Sequence, residues 1–252
     1  NKIQSLNGKF TDQSSININI TGNQFRLSQA VAVWAPDDFI LSGNDITQWN
    51  DSTSTKHFVS TGTAPLRVAS GINSLPTCTF PTGTTAFNSV FSLVDSPTDE
   101  ITVAGVVRMP FINGDRVIFS LNPTASSDPN EYGIMFITGG SLYFRAGQVS
   151  GNSYLGGVNA AFSNTNAFAF FARARASTRE LWINNTLFAS NSTSVLAPKS
   201  FDRIRLAEGN GVLSNAFINA DMQVGEFQIS TLYEDDTQKN NFFAAMTSIW
   251  GT

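Results

Sequence analysis

The feature of this sequence that most constrains its fold is the alternation of apolar and polar residues in short runs. Ile16, Ile18 and Ile20 alternate with polar residues, and comparable runs recur along the chain. Because successive side chains of a strand point to opposite faces, this two-residue period predicts strands with one buried face. Further strands are predicted at 30–34, 101–109, 116–121, 132–137, 142–145, 168–176, 180–183, 203–206 and 222–229.

Turn signals between these runs predict that neighbouring strands are antiparallel. The clearest signal is Asn184-Asn185, which lies between two apolar runs and is typical of a two-residue hairpin. Polar and glycine-rich clusters at 113–115, 138–141 and 208–211 mark further turns. Many short strands separated by such turns predict an all-β fold, a sandwich of two antiparallel sheets packed face to face.

The C-terminus follows a different period. Five apolar residues recur there at helical spacing, after an acidic stretch at 234–236 and before Gly251. Because acidic residues favour a helix N-terminus and glycine a helix end, we predict one short C-terminal helix. Its apolar stripe would pack on the sandwich; the five residues are Phe242, Phe243, Met246, Ile249 and Trp250.

Length and composition are compatible with one sandwich domain. A chain of 252 residues with 41% apolar residues can form a single large β domain. We assign residues 30–252 to this domain and residues 1–29 to a strand extension, either edge strands or the end of a preceding unit. Because the chain begins with Asn1 rather than Met, we also expect a processed or truncated start.

Charge and cysteine content argue against several classes of partner. The formal net charge is −4 and no Lys/Arg block occurs, so nucleic acid is not a predicted partner. No apolar run reaches the roughly 18 residues that a membrane helix needs. Cys78 is the single cysteine, which excludes an internal disulfide and a cysteine-rich metal site.

Motifs for catalysis and metal binding are weak. The single histidine, His57, has no nucleophile motif beside it. The six glutamates do not form the closely spaced acidic pair that sandwich glucanases carry on one strand. Calcium would need clustered oxygen ligands, but 37–38 and 128–131 lack the spacing of a calcium loop. We therefore predict no enzyme activity, no catalytic residue, no metal site and no cofactor.

Arginine is concentrated on the predicted strands. Ten of the 15 basic residues are arginine, and Arg173 and Arg175 alternate with alanine. If their strand shares a sheet with Tyr143 and Arg145, one open face would carry cationic and aromatic side chains. Such a face suits sugars, because aromatic rings stack on C–H patches and arginine donates directional hydrogen bonds. The predicted ligand-binding residues are Tyr143, Arg145, Tyr154, Arg173, Arg175 and Trp182.

A second interpretation of the same pattern remains open. Arg203 and Arg205 also alternate with apolar residues, and Arg108 lies at the end of another predicted strand. These arginines could instead form a salt-bridged outer face with acids such as Glu180 and Glu226, which would contribute little stability. The sequence does not decide between a binding face and a salt-bridged face.

Several segments resemble a known family when they are taken together. The resemblance lies in 31–39 with 42–51, in 71–80, in Ile101–Arg108, in Glu180–Leu187 and in Val224–Ile229 through to Trp250-Gly251. In this order the segments are similar to the concanavalin A-like lectin and glucanase domains of the laminin-G type. The resemblance covers about residues 30 to 251 and implies a jelly roll of two curved sheets, the concave one often holding the ligand. The acidic pair of the glucanase branch is missing.

The resemblance also implies a setting, because such domains occur in bacterial surface proteins and in phage virion appendages. We therefore predict a non-catalytic, lectin-like module for adhesion or receptor binding, extracellular on a virion or a bacterial surface, that binds glycan or polysaccharide. The second hypothesis is a structural decoration or assembly domain that contacts other virion or surface proteins or copies of itself as a homo-oligomer. The third is a polysaccharide-degrading enzyme.

Overall fold

The strands and the helix are given by a computed structural model that describes residues 25–53, 56–61, 63–81, 86–90, 100–110, 116–122, 133–138, 140–146, 158–192, 203–207 and 221–252. The strands in these ranges are β1 (Ala30–Ser42), β2 (Asp45–Asp51), β3 (Phe58–Thr61), β4 (Leu66–Val68), β5 (Thr77–Phe80), β6 (Ala86–Val90), β7 (Ile101–Arg108), β8 (Arg116–Asn122), β9 (Gly133–Thr138), β10 (Ser141–Ala146), β11 (Val158–Ala161), β12 (Ala167–Arg175), β13 (Thr178–Ile183), β14 (Thr186–Asn191), β15 (Arg203–Leu206) and β16 (Met222–Ser230). A 3₁₀ turn lies at Ile72–Ser74, and the helix α1 spans Asp236–Trp250.

These strands form two layers. The first sheet has the order β11-β10-β9-β8-β15-β6-β3-β2, and the second has the order β4-β5-β16-β7-β12-β13-β14. Only the pair Asp45–Leu66 links β2 to β4, while β1 pairs with β16 of the second sheet and then with β2 of the first. The layers face each other, because the ring of Phe119 on β8 stacks on that of Phe170 on β12 with centroids 6.0 Å apart. The predicted all-β jelly-roll sandwich of two antiparallel sheets is confirmed.

Several strands were not in the predicted set. β3, β4, β5 and β6 contain only three to five residues, which is too short for a two-residue period to stand out. β2 is longer, but its register shifts against β1 and interrupts the alternation. The strand predicted around Ile16–Ile20 lies outside the described residues.

The Asn-Asn hairpin prediction is confirmed. Asn184 and Asn185 join β13 to β14 and have φ values of 47° and 60°. Both therefore adopt the left-handed conformation that a two-residue turn of this kind requires, and asparagine enters it more easily than most residues.

The space between the sheets is filled by apolar side chains. Trp34, Trp49 and Phe58 are fully buried there, and the ring of Phe58 contacts the rings of both tryptophans. The indole N–H groups of both tryptophans donate to backbone carbonyls, so burying them leaves no polar atom unsatisfied. Cys78 lies in the same core, and burial raises the pKa of its thiol well above the usual range.

Helix α1 covers the outer face of the second sheet. Asp235 caps its N-terminus by accepting a hydrogen bond from Gln238 N (2.8 Å), and Gly251 ends it with φ 70°. Four of the five predicted apolar residues are buried against small and aromatic residues of β7 and β12, which confirms the packing prediction; they are Phe242, Phe243, Met246 and Trp250. At ~1.5 Å per helical residue and ~3.3 Å per strand residue, α1 matches the length of β12 from Arg173 to Ala167.

Residues 25–29 pack on the same outer face. Leu27 is buried there, and its amide N–H donates to Gln228 Oε1 (3.0 Å) on β16. Ser28 Oγ donates to Glu234 Oε2 (2.7 Å). The domain boundary at 29/30 stays a prediction, because residues 1–24 lie outside the described part of the chain. Among the described helices, none combines the length and the hydropathy that crossing a membrane would require.

Candidate functional site

The outer face of the first sheet carries part of the predicted site. On β10 the buried residues point into the core, so Tyr143 and Arg145, which are half-buried, point outward. The same alternation on β15 points Arg203 and Arg205 outward. We call the surface formed by these four residues the arginine face.

Strand register places two of these arginines in one row. Arg205 pairs with Ser120 on β8, Ser120 pairs with Ile134 on β9, and Ile134 pairs with Arg145. Residues directly opposite each other in antiparallel strands lie on the same face, so Arg205 and Arg145 point to one side. Three strand spacings separate their Cα atoms by about 14 Å. Ser120, which lies between them, is fully buried, so the row offers a ligand its two half-buried arginines.

The row continues toward an apolar end of the same face. Arg205 pairs with Asn88, Asn88 with Val59, Val59 with Gln48, and Gln48 with Ile40. Val59 is 49% exposed and Ile40 is 48% exposed. The face thus changes from cationic to apolar across the first sheet.

Tyr143 and Arg145 form a local pair on this face. The guanidinium carbon of Arg145 lies over the Tyr143 ring, 5.4 Å from its centroid. A cation–π contact of this kind favours one orientation of the long Arg145 side chain. It places an aromatic ring and a hydrogen-bond donor next to each other, as a sugar-binding surface needs.

Three of the other predicted residues do not lie on this face, and the expectation of one shared face was wrong. Arg173 and Arg175 on β12 and Trp182 on β13 point away from the core, as their alternation predicted, but they belong to the second sheet. There the N-terminal part of α1 covers Arg173, which is only 4% exposed. Strand alternation gives the side of a strand on which a residue lies, but not the sheet to which that strand belongs.

Arg173 holds α1 and the loop before it on the second sheet. Its Nε donates to Glu180 Oε2 (2.8 Å), its Nη1 to the backbone oxygen of Glu234 (2.8 Å), and its Nη2 to Asp236 Oδ1 (2.7 Å). Its Nη2 also lies 2.6 Å from Glu180 Oε2. The salt-bridged interpretation of the arginine pattern therefore describes this residue.

The protonation of this cluster follows from these contacts. Burial alone would lower the pKa of Arg173, but hydrogen bonds to Glu180 and Asp236 raise it. Burial would likewise raise the pKa of Glu180, but hydrogen bonds from Trp182 and Arg173 hold it below its usual range. The hydrogen bond from Arg173 also lowers the pKa of Asp236. All three groups are therefore charged at neutral pH.

Two further contacts complete the cluster. The guanidinium of Arg175, which is exposed, lies 4.4 Å from the centroid of the Tyr233 ring. The ammonium of Lys239 on α1 lies 3.4 Å from the centroid of the Trp182 ring. Trp182 is therefore engaged by the helix on one side, which argues against it as an open stacking platform. Tyr154, the remaining predicted residue, lies outside the described residues.

Sequence reasoning noticed Arg203 and Arg205 but left them out of the predicted site. Their alternation was visible, but β15 is only four residues long and lies far along the chain from β10. Its position beside β8 depends on pairing between distant segments, for which the sequence carried no local signal.

Carboxylates suited to hydrolysis are engaged elsewhere among the described residues. Glu226 is fully buried under α1 and accepts a hydrogen bond from Gln228. Glu234 accepts hydrogen bonds from Ser28 and Gln29, and Glu100 accepts one from Tyr233 N. Within the same residues no cluster of three or more potential metal ligands occurs.

Comparison with known proteins gives a likeness of fold. The sequence matches no protein-family model. It also matches no curated protein. Solved structures do match: a Trypanosoma rangeli sialidase aligns with a TM-score of 0.59 at 8% identity, covering 88% of this chain and 33% of the sialidase.

Botulinum neurotoxin structures match to the same degree. The binding domain of serotype D aligns with a TM-score of 0.60 at 12% identity, covering 86% of this chain and 51% of that one. A structure of the type C toxin aligns with a TM-score of 0.62 at 13% identity, covering 86% of this chain and 51% of the toxin chain. Cell entry of that toxin depends on interaction with two ganglioside molecules. This chain thus spans about a third to a half of these proteins. It shares an all-β sandwich fold with the aligned parts of them.

Proposed function

We propose that this chain is a non-catalytic carbohydrate-binding module that binds glycan on the arginine face. The observation that carries the proposal is the row in which Arg145 and Arg205 point to the same side of the first sheet, with Tyr143 beside Arg145. The planar guanidinium group of arginine donates paired hydrogen bonds to sugar hydroxyls and carboxylates, and a tyrosine ring offers a stacking surface. As part of this proposal, the sandwich is a concanavalin A-like domain of the laminin-G type.

The fold neighbours support this choice over others. The type C neurotoxin structure concerns a protein that interacts with gangliosides, whose headgroups are carbohydrate. The sialidase neighbours are enzymes, but this chain spans only about a third of them. The described glutamates Glu100, Glu180, Glu226 and Glu234 lie at the second sheet, away from the arginine face.

We further propose that the module is extracellular, on a phage virion or a bacterial surface. A chain with only 13% charged residues and a single, buried cysteine fits an extracellular domain that is stabilised by a large core rather than by disulfides.

The proposal predicts that glycan binding depends on both arginines of the row. Binding of the full chain to a glycan array should identify ligands, and Arg145→Ala or Arg205→Ala should weaken the best one by about 10-fold or more. This is the expected effect of losing a charged hydrogen bond. Arg175→Ala is the matched control, because it removes an exposed arginine from the opposite sheet and should leave the affinity unchanged.

Four outcomes would contradict the proposal. The array could show no glycan binding at all. Binding could survive both row variants, or it could be lost in Arg175→Ala, which would move the ligand to the helix-covered sheet. Release of reducing ends from a bound polysaccharide would contradict the non-catalytic part and revive the hydrolase hypothesis.

The exposed apolar end of the same face favours a second candidate function, assembly. Ile40 and Val59 are half exposed in one row, and such side chains are common where a protein meets a partner. If a second copy covers them, the chain should be a dimer by light scattering, and a combined Ile40→Lys and Val59→Lys variant should be a monomer. A monomeric parent chain would count against assembly of this kind.

A further inference from the structure

Residues 25–29 cross the outer face of the second sheet beside α1, and we call them the N-terminal strap. Leu27 is 2% exposed, and the ring of Phe25 contacts that of Phe242 on α1, with centroids 6.1 Å apart. The strap is also the link through which residues 1–24 join the domain. A change that loosens the strap therefore loosens that link.

One side chain of β16, Gln228, holds the backbone of the strap. Its Oε1 accepts a hydrogen bond from Leu27 N (3.0 Å), and its Nε2 donates to the backbone oxygen of Phe25 (2.7 Å). The same Nε2 also donates to Glu226 Oε1. Because Gln228 is fully buried, these three hydrogen bonds fix one orientation of its amide. The seat of the strap is therefore coupled to the Glu226 carboxyl through a single amide group.

Glu226 is sealed from solvent without an opposite charge beside it. It is 0% exposed, and a Cβ at the neighbouring Gly225 would collide with the ring of Trp250, so the end of α1 lies directly on this part of β16. Within the described ranges Glu226 makes no ion pair. The charged side chains on the surrounding elements are Arg26 of the strap, Arg108 of β7, and Glu234, Asp235, Asp236 and Lys239 at α1.

The cations among these side chains are engaged or exposed elsewhere. Arg26 Nη2 donates to Ser52 Oγ (3.3 Å), and Lys239 Nζ lies 3.1 Å from Asp236 Oδ1. Arg108 is exposed at the end of β7. A negative charge on Glu226 would therefore have to be stabilised by water rather than by these groups.

The closed site suits only the neutral form of Glu226. Its donors are Gln228 and the indole N–H of Trp250, whereas an ionised carboxylate has about four acceptor sites. Burial accordingly raises the pKa of Glu226 to about 7, from 4.5 when exposed. Water can reach the group if the strap or α1 moves. The strap buries one apolar side chain completely and α1 buries four, so the strap opens at lower cost.

We infer that ionisation of Glu226 loosens the N-terminal strap, so that residues 25–29 act as a clasp that is closed in acid and opens more readily as the pH rises through neutral. In the open form, water hydrates the carboxylate, and Gln228 releases Phe25 and Leu27. The closed form binds the proton more tightly than the open form. Closure is therefore strongest below pH 4.5 and weakens as the pH rises through about 7.

Amide hydrogen exchange of the full chain at pH 5 and pH 8 tests this, with the Leu27 amide as the reporter of the strap. Glu226→Gln is measured at the same two pH values, so that the intrinsic effect of pH on exchange cancels. Between them, the protection of Leu27 should fall about 50-fold further in the parent chain than in this variant. Glu100→Gln removes a less buried carboxylate and is the matched control, which should behave like the parent.

Other amides and a second variant locate the opening. Gly251 N donates to the backbone oxygen of Thr247 (3.1 Å) at the end of α1 and should show no such difference. Amides of β7 should exchange more slowly than Leu27 at both pH values, because they open only when the whole domain unfolds. Gln228→Met removes both hydrogen bonds to the strap and should lower the protection of Leu27 by about 10-fold already at pH 5.

Four results would overturn the proposal. The parent and Glu226→Gln could have equal pH profiles at Leu27. The difference could lie at Gly251, which would mean that the end of α1 opens instead, or Leu27 could exchange only as fast as β7, which would mean global unfolding. Gln228→Met could leave Leu27 fully protected. These measurements need no glycan, so their outcome does not depend on the arginine face.

Discussion

Replacing Arg173 with methionine should lower the free energy of unfolding by about 3–5 kcal/mol, although the residue lies outside the arginine face. The guanidinium is 4% exposed and makes hydrogen bonds to Glu180, to the backbone of Glu234 and to Asp236. Without it, the half-buried Glu180 carboxylate loses its cationic partner, and α1 loses the contact that fixes its first turn. Methionine retains most of the packing volume, so the loss reflects the charge and the hydrogen bonds.

Chemical denaturation of the parent and variant chains measures this effect, and Arg175→Met is the matched control. Arg175 lies two residues away on the same strand and contacts the same Tyr233 ring, but it is exposed. Its replacement should cost less than about 1 kcal/mol, because exposed cation–π contacts are weak. Equal losses for the two variants would mean that the buried hydrogen bonds of Arg173 do not hold the helix.

The contrast between these arginines shows how far the sequence could predict the candidate site. The side of each strand was predictable, since Tyr143, Arg145, Arg173 and Arg175 all point away from the core. Their distribution between two sheets was not, because β12 pairs with β7 and β13 whereas β10 pairs with β9 and β11. Pairing between distant segments is set by the whole core and carries no local pattern.

The C-terminal helix illustrates the same limit. Its apolar spacing and its ends at Asp235 and Gly251 are local properties, and both were predictable. Its position on β7 and β12, however, determines which polar residues become buried. Consequently Arg173 could be predicted as an outward-facing residue but not as a covered one.

Covering the second sheet with α1 also buries an acid, and the stability of the chain should therefore fall as the pH rises toward neutral. Burial raises the pKa of Glu226 to about 7, from 4.5 in an exposed chain, and the donors Gln228 and Trp250 oppose this only in part. Below pH 4.5 the Glu226 carboxyl is protonated in both the folded and the unfolded chain, so its ionisation does not lower the free energy of unfolding. Between pH 4.5 and 7 only the unfolded chain loses the proton, so about 3 kcal/mol of stability should be lost.

Denaturation across pH 4.5 to 8 tests this, with Glu226→Gln as the variant. Glutamine keeps the acceptor that Gln228 Nε2 bonds but cannot ionise, so the fall in the free energy of unfolding should disappear whatever the absolute stability of the variant. Glu100→Gln removes a less buried carboxylate and should keep the fall. Glu180 and Asp236 act in the opposite direction, because their lowered pKa values remove stability only as the pH drops below about 4.5. A profile of Glu226→Gln that still falls toward neutral pH would show that another group carries the dependence.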